Sequence, residues 1–259
     1  MKKVDLNCDL GESFGKYILG MDEQILPLNT SANIACGFHA SDPVVMSRTV
    51  KMAAESGVAA GAHPGYQDLV GFGRRNMKVA PAEVTDIVMY QIGALEAFCR
   101  ANGIAMQHVK PHGAMYNMAE KDDKLAEAIC RGIKAVNPDL ILLGPGSGKM
   151  VKAAKALGLK TAGEVFADRA YMEDGTLVPR SQEGAMITDE EEAVARVLEM
   201  VQKGTVTAIT GKKIEVQADS ICVHGDGQKA LLFVQKIRSE LEKAGVVIVP
   251  MKEVIVGES

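Results

Sequence analysis

Four of the five histidines, His39, His63, His112 and His224, each sit just after a predicted strand, in the settings CGFHASD, GAHPGY, KPHGAMY and VHGDG; the fifth, His108, falls inside one. A lone imidazole at a strand end is ordinarily a satisfied structural residue. Four at equivalent strand ends of a barrel converge on one opening, where imidazoles can move protons or steady a developing negative charge. Lys110 precedes His112 by two residues, so both can face the same side of one strand end. In the first strand Asp5, Asn7 and Asp9 alternate with Val4, Leu6 and Cys8, which places three polar side chains on one face. Inside a barrel these would be costly unless paired with each other, water or a ligand. The competing reading is a half-exposed edge strand.

Glu164, Asp168, Arg169 and Arg180 border a loop, 164–180, rich in both charge signs, and Asp226 follows His224. Such a mixture suits a small zwitterionic or anionic substrate, because guanidinium groups grip carboxylate or phosphate in two-pronged fashion while carboxylates and imidazoles transfer protons. Asp9, His39, His63, Lys110 and His112 are therefore the candidate catalytic residues, and Asn7, Asp168, Arg169, Arg180, His224 and Asp226 the candidate substrate contacts.

The segment GPGSGKM, 144–150, follows an apolar strand but misses the phosphate-loop pattern at Leu143 and Met150. It is either an anion site at a helix start or a tight turn. Cys36 is open to two readings, a nucleophile or a small apolar residue at a strand end. No nucleophile elbow, dinucleotide fingerprint or HExxH spacing occurs.

The elements that must position these groups follow βα grammar: a short apolar run, a cluster of Gly, His, Asp or Asn, then a capped helix. Strands are expected at 3–8, 32–36, 57–62, 106–110, 139–143, 160–166, 219–223 and 245–250. Asp42 before Pro43 makes a helix start and Gly57 its stop. A longer helix runs from Pro81 to about Cys99. Thr188 with Glu191 forms a capping box, which makes the acids at 189–192 a helix start rather than a ligand site. Segments 64–79 and 166–187 read as loops over a barrel mouth. Seven or eight such units fit a TIM-barrel-like α/β fold, a closed (β/α) barrel complete or lacking one strand, better than an open doubly wound sheet. The barrel is expected to be one domain, 1–259.

At 47% apolar content, 259 residues can bury a substantial core, and a net charge of −4 with scattered Lys and Arg argues against nucleic acid. No stretch reaches the roughly 18 apolar residues of a membrane helix, and no signal peptide is read at the N-terminus. Five cysteines without CxxC spacing indicate neither a disulfide framework nor a zinc knuckle, so the expected compartment is the reducing cytoplasm.

Taken in order, DLNCDLGE, SANIACGFHASDP, GAHPGYQD with GFGRR, HVKPHGAMYN, EVFADRAYMEDGTLVPRSQ and CVHGDG resemble the LamB/YcsF lactam-utilisation family from residue 3 to about 250. The resemblance implies a barrel related to the glycoside hydrolase and deacetylase barrels. It also implies a 5-oxoprolinase activity that opens 5-oxoproline to glutamate with ATP, together with magnesium, as co-substrate and alongside partner subunits B and C. Opening the lactam is uphill chemistry on a poor electrophile, and phosphorylating the amide oxygen would activate the ring carbon. Since the chain lacks a nucleotide motif, the partners are expected to supply or complete that step. In this reading Asp9, His39 and His63 activate water, Lys110 and His112 stabilise the oxyanion or phosphate, and Arg169, Arg180 and His224 hold the substrate carboxylate or phosphate. Two rivals remain: a deacetylase of the same barrel lineage with a divalent metal on Asp9, His39 and His63, and a lactam-binding subunit without turnover of its own.

Overall fold

The odd and even residues of β1 (Lys3–Leu10) set the plan of the molecule. Val4, Leu6, Cys8 and Leu10 join the main apolar core, while Asp5 and Asn7 are fully buried on the opposite face. A strand buried on both faces is what a barrel wall requires. The computed structural model describes residues 1–223 and 228–256. Parallel strands follow β1 around the barrel: β2 (Ser31–Ala35), β3 (Ala59–His63), β4 (His108–Val109), β5 (Ile141–Gly144) and β6 (Lys160–Phe166). A hairpin, β7 (Thr205–Thr207) with β8 (Lys213–Glu215), stands apart from this sheet. β9 (Ser220–Cys222) pairs with both β6 and β1, so seven parallel strands close the barrel.

β10 (Val247–Ile248) lies outside the closed circuit. The amide of Val249 donates to the Val4 carbonyl, while that of Thr30 donates to the next carbonyl on the same side of β1, Leu6. β10 thus prolongs the edge of β1 that β2 occupies further along. The expected eighth strand exists, but as an extension of the wall and not as a stave.

Helices alternate with the strands as the capping signals require. Asp42 Oδ1 accepts from the amides of Val44 and Val45 at the start of Pro43–Ser56, and Gly57 ends that helix at φ +66°. Pro81–Ala101 overshoots the expected end by about two residues. The helix Glu190–Lys203 corrects the capping box: Asp189, not Thr188, is the cap, with its carboxylate accepting from the Glu192 amide. Two adjacent residues can both cap, and the carboxylate, which also favours the helix dipole, takes the position. The acids at 189–192 are a helix start, as expected. Segment 64–79 holds no helix or strand, and 166–187 carries only isolated bridges beyond the last residue of β6.

Among the described residues no helix is long and apolar enough to cross a membrane.

Candidate functional site

The polar face of β1 is the first wall of the site, and its residues form a layered network inside the barrel. At the bottom, the hydroxyls of Thr30, Ser31 and Ser220 donate to the Asp5 carboxylate. Burial nevertheless lifts the Asp5 pKa to about 6, the three hydroxyl donors only partly opposing it. One layer up, Asn7 Nδ2 donates to Ser220 Oγ at 2.7 Å, and Asn33 Nδ2 donates to both Asn7 Oδ1 and Asp9 Oδ1. His108 fills the space opposite, its Nε2 2.7 Å from Asn33 Oδ1. Its ring lies where a side chain on Gly61 would be, since a Cβ there would sit 2.2 Å from Nε2. Burial and the nearby Lys110 charge push His108 down to about pKa 3, so it is a neutral hydrogen-bond donor and a structural one. The edge-strand reading of β1 is thereby excluded. Asn7, expected to touch substrate, is fully buried with its amide engaged, and it supports the residues above it instead.

Above this floor lies the ion cluster. Lys110 Nζ is 3.0 Å from Asp9 Oδ1 and 2.7 Å from Glu164 Oε1, with the Lys110 and Glu164 side chains 4% and 0% exposed. Burial disfavours the ammonium, but Asp9 and Glu164 outweigh it and hold Lys110 well above the usual lysine range. It is a fixed cation rather than a free amine. Tyr116 Oη donates to Glu164 Oε2 at 3.0 Å, which steadies the buried carboxylate.

Beside it stand three imidazoles. His63 Nε2 is 3.4 Å from Asp9 Oδ2 and 3.0 Å from His112 Nδ1. His39 stacks on His112 with ring centres 3.6 Å apart and planes 1° apart, and its Nε2 lies 3.2 Å from Glu12 Oε1. Burial holds both stacked rings well below the usual histidine range, reinforced at each by the neighbouring imidazoles, so they are neutral near pH 7. The loop 71–75 closes over them. Gly73, at φ +62°, has no room for a Cβ, which would sit 2.6 Å from His39 Cβ and 2.8 Å from His112 Cδ2.

A cavity of about 580 Å³ opens beside this cluster, and Asp9, His63, Lys110, His112 and Glu164 line it together with Arg169 and Arg180. Arg169 is buried, with one guanidinium nitrogen donating to the Val178 carbonyl and its Nε lacking a protein partner. Arg180 is exposed at the rim. Asp168 is half-buried and does not line this cavity. His39 lies behind the other two imidazoles, also off the cavity wall. His224 and Asp226 lie outside the described residues.

The structure corrects one expectation about the reactive groups and decides two that the sequence left open. Atoms able to hold a metal converge at Glu12, His39, His63 and His112, all within 4.8 Å of one another, whereas Asp9, expected in that set, pairs with Lys110. Glu12 is absent from the expected site residues although it closes the DLGE motif. The GPGSG turn presents no free helix start: the carboxylate of Glu120 accepts from the amides of Lys149 and Met150, so the chain supplies its own anion. Of the two readings of Cys36, the apolar one holds, because the thiol is buried, donates to the Ile34 carbonyl and is pushed by burial to about pKa 12.

The LamB/YcsF family model matches residues 4–256. The A subunit of 5-oxoprolinase from Clostridium beijerinckii is 63% identical over 254 residues, covering 98% of this chain and 100% of that one. Its counterpart from Bacillus subtilis is 55% identical over 253 residues, with 98% of each covered. Among solved structures, a lactam utilization protein from Thermus thermophilus superposes with a TM-score of 0.90 at 46% identity, over 95% of this chain and 99% of that one. A putative cellobiose-phosphate cleavage protein from Enterococcus faecalis, at 14% identity and a TM-score of 0.58, shares the fold alone over 98% of this chain and 99% of its own. With its motifs in order, its seven-stranded barrel and a match over nearly its whole length, the chain belongs to the LamB/YcsF family.

Proposed function

We propose that this chain is the lactam-opening component of an ATP-dependent 5-oxoprolinase, which acts in the cytoplasm with partner subunits B and C. The observation that carries the reading is one cavity lined both by the acid, base and cation groups of Asp9, His63, Lys110 and His112 and by two guanidinium side chains, Arg169 and Arg180. A small cyclic amide bearing a carboxylate matches both kinds of group. Arg169 and Arg180 hold the carboxylate, and the lactam carbonyl then faces Lys110. The names and near full-length identity of the curated relatives support the same substrate.

ATP, with its magnesium, is the co-substrate. Transfer of the γ-phosphoryl group to the lactam oxygen releases ADP and leaves an activated imidate carbon. Asp9, assisted by His63, takes a proton from water as its oxygen bonds to that carbon. Lys110 stabilises the charge on the phosphorylated oxygen. A second water releases inorganic phosphate, the ring C–N bond breaks, and the nitrogen leaves protonated as the α-amine of glutamate. The partner subunits complete the phosphoryl-transfer step, because Glu120 occupies the helix start that follows β5.

Glutamate release from 5-oxoproline tests this, using the purified chain alone and with both partners, each with and without ATP. Turnover is expected only from the complex with ATP. Rapid ATP-dependent turnover by the single chain would overturn the division of labour, and an inert complete complex would overturn the substrate.

A further inference from the structure

His63 and His112 are held in a way that two neutral imidazoles do not favour. A main-chain carbonyl can only accept, so the 2.7 Å contact of His63 Nδ1 with the Lys110 carbonyl puts the ring hydrogen on Nδ1. By the same reasoning the 2.8 Å contact of His112 Nε2 with the Phe72 carbonyl puts its hydrogen on Nε2. The two remaining nitrogens both carry lone pairs, and they stand 3.0 Å apart. The rings are nearly perpendicular, at 89°, so both lone pairs can address a common point. Carboxylate oxygens flank that point: Glu12 Oε1 is 3.6 Å from His112 Nδ1, and Asp9 Oδ2 is 3.4 Å from His63 Nε2. Two facing lone pairs edged by negative charge call for a cation.

We propose that His63 Nε2, His112 Nδ1 and Glu12 Oε1 form a site for one divalent transition-metal ion of the zinc class, with His39 as a positioning residue. Two imidazole nitrogens and one carboxylate oxygen form a donor set that suits zinc, cobalt or nickel and not magnesium or calcium. Three protein ligands leave a fourth position open, and His63 and His112 both line the cavity. The two carbonyls that fix the tautomers are the outer partners that metal-bound imidazoles ordinarily have.

His39 is excluded as a ligand by its stacking. Its plane is parallel to that of His112, and the ring centres are 3.6 Å apart, so no ion can lie in both planes as in-plane lone pairs require. Instead its Nε2–H donates to Glu12 Oε1 at 3.2 Å and aims that carboxylate. Its own Nδ1 is buried without a partner, consistent with a ring placed for the sake of its other nitrogen. The alternative cation is a single proton shared in the His63 to His112 gap.

The test is zinc binding by the full chain after chelator treatment, read by calorimetry and metal content, and therefore separable from any failure of the proposed lactam activity. One zinc per chain is expected. His112→Ala and Glu12→Gln should each weaken binding by at least about 100-fold, and His39→Gln by about 10-fold, the loss usual for an outer partner. Should a variant fail to fold by circular dichroism, cobalt absorption of the unmodified chain decides: visible bands of a four-coordinate ion support the site. Zinc uptake below a tenth of an equivalent, an unchanged aqueous cobalt spectrum, or wild-type affinity in both folded variants would overturn it and leave the shared proton as the cation.

Discussion

Lys110→Met should separate the structural work of the ion cluster from its chemistry. The ammonium lies 3.0 Å from Asp9 and 2.7 Å from Glu164, with both of those side chains at most 17% exposed. Methionine keeps most of the volume and removes an ammonium that offsets both carboxylates. Removing one member of a buried ion pair typically costs about 3–5 kcal/mol, because the remaining charge stays desolvated. For a chain of this size that corresponds to a fall in melting temperature of roughly 6–20 °C. The double variant Lys110→Met with Glu164→Gln removes the more buried of the two stranded charges, leaving an amide that Tyr116 can still reach. It should regain about half of the lost stability or more. Turnover of the reconstituted complex should stay absent in both, since neither can stabilise charge at the lactam oxygen. Thermal unfolding in parallel with glutamate release makes the comparison. A single variant that melts within about 2 °C of wild type, or a double variant no more stable than the single, would show that Lys110 is not held by these carboxylates as described.

Asp9→Asn should lower turnover of the complex by about 10²–10⁴-fold while shifting the melting temperature little, because the amide keeps the volume and loses the basic oxygen; near-normal turnover would remove Asp9 from the chemistry. Asp5, with its pKa raised to about 6, contributes stability that is full below its unfolded value and is lost as the pH rises through about 6. The stability of wild type relative to Asp5→Asn should accordingly fall by about 3 kcal/mol between about pH 4 and pH 7, and a flat difference by urea denaturation would contradict this. Glu120→Ala should cost about 0.5–2 kcal/mol through the lost cap of the helix Lys149–Ala156, read as a melting shift, and no shift would mean that water replaces the carboxylate without loss.

Sequence makes legible whatever repeats locally. The alternation in Lys3–Leu10 carries the polar interior, Asp42 with Pro43 and Gly57 brackets one helix, and His39, His63 and His112 at strand ends come together because a closed barrel leaves them one opening. Glu12 has no such signature. It reaches the imidazoles because Gly11 turns the chain at φ +70°, and its partners lie 27 and 100 positions away. Glu120 is equally silent, since it caps a helix that begins 29 residues later. The hairpin β7–β8 escapes a sequence reading because three-residue strands fall below any pattern. Asn7 is misplaced for a different reason: alternation tells which face a side chain takes, but not how deep along the barrel axis it sits.

The interior network also has an order in time. Asp5 depends on Ser220, 215 positions later, and Asn7 on the same hydroxyl. At a synthesis rate of about 5–20 residues per second, roughly 10–40 s pass between the emergence of the first strand and that of its partner. Until β9 arrives, β1 can neither close the barrel nor bury its carboxylate with all its donors in place. A nascent chain must therefore keep this strand solvated, and a truncation just before residue 219 should yield an aggregation-prone product even though most of the sequence is present.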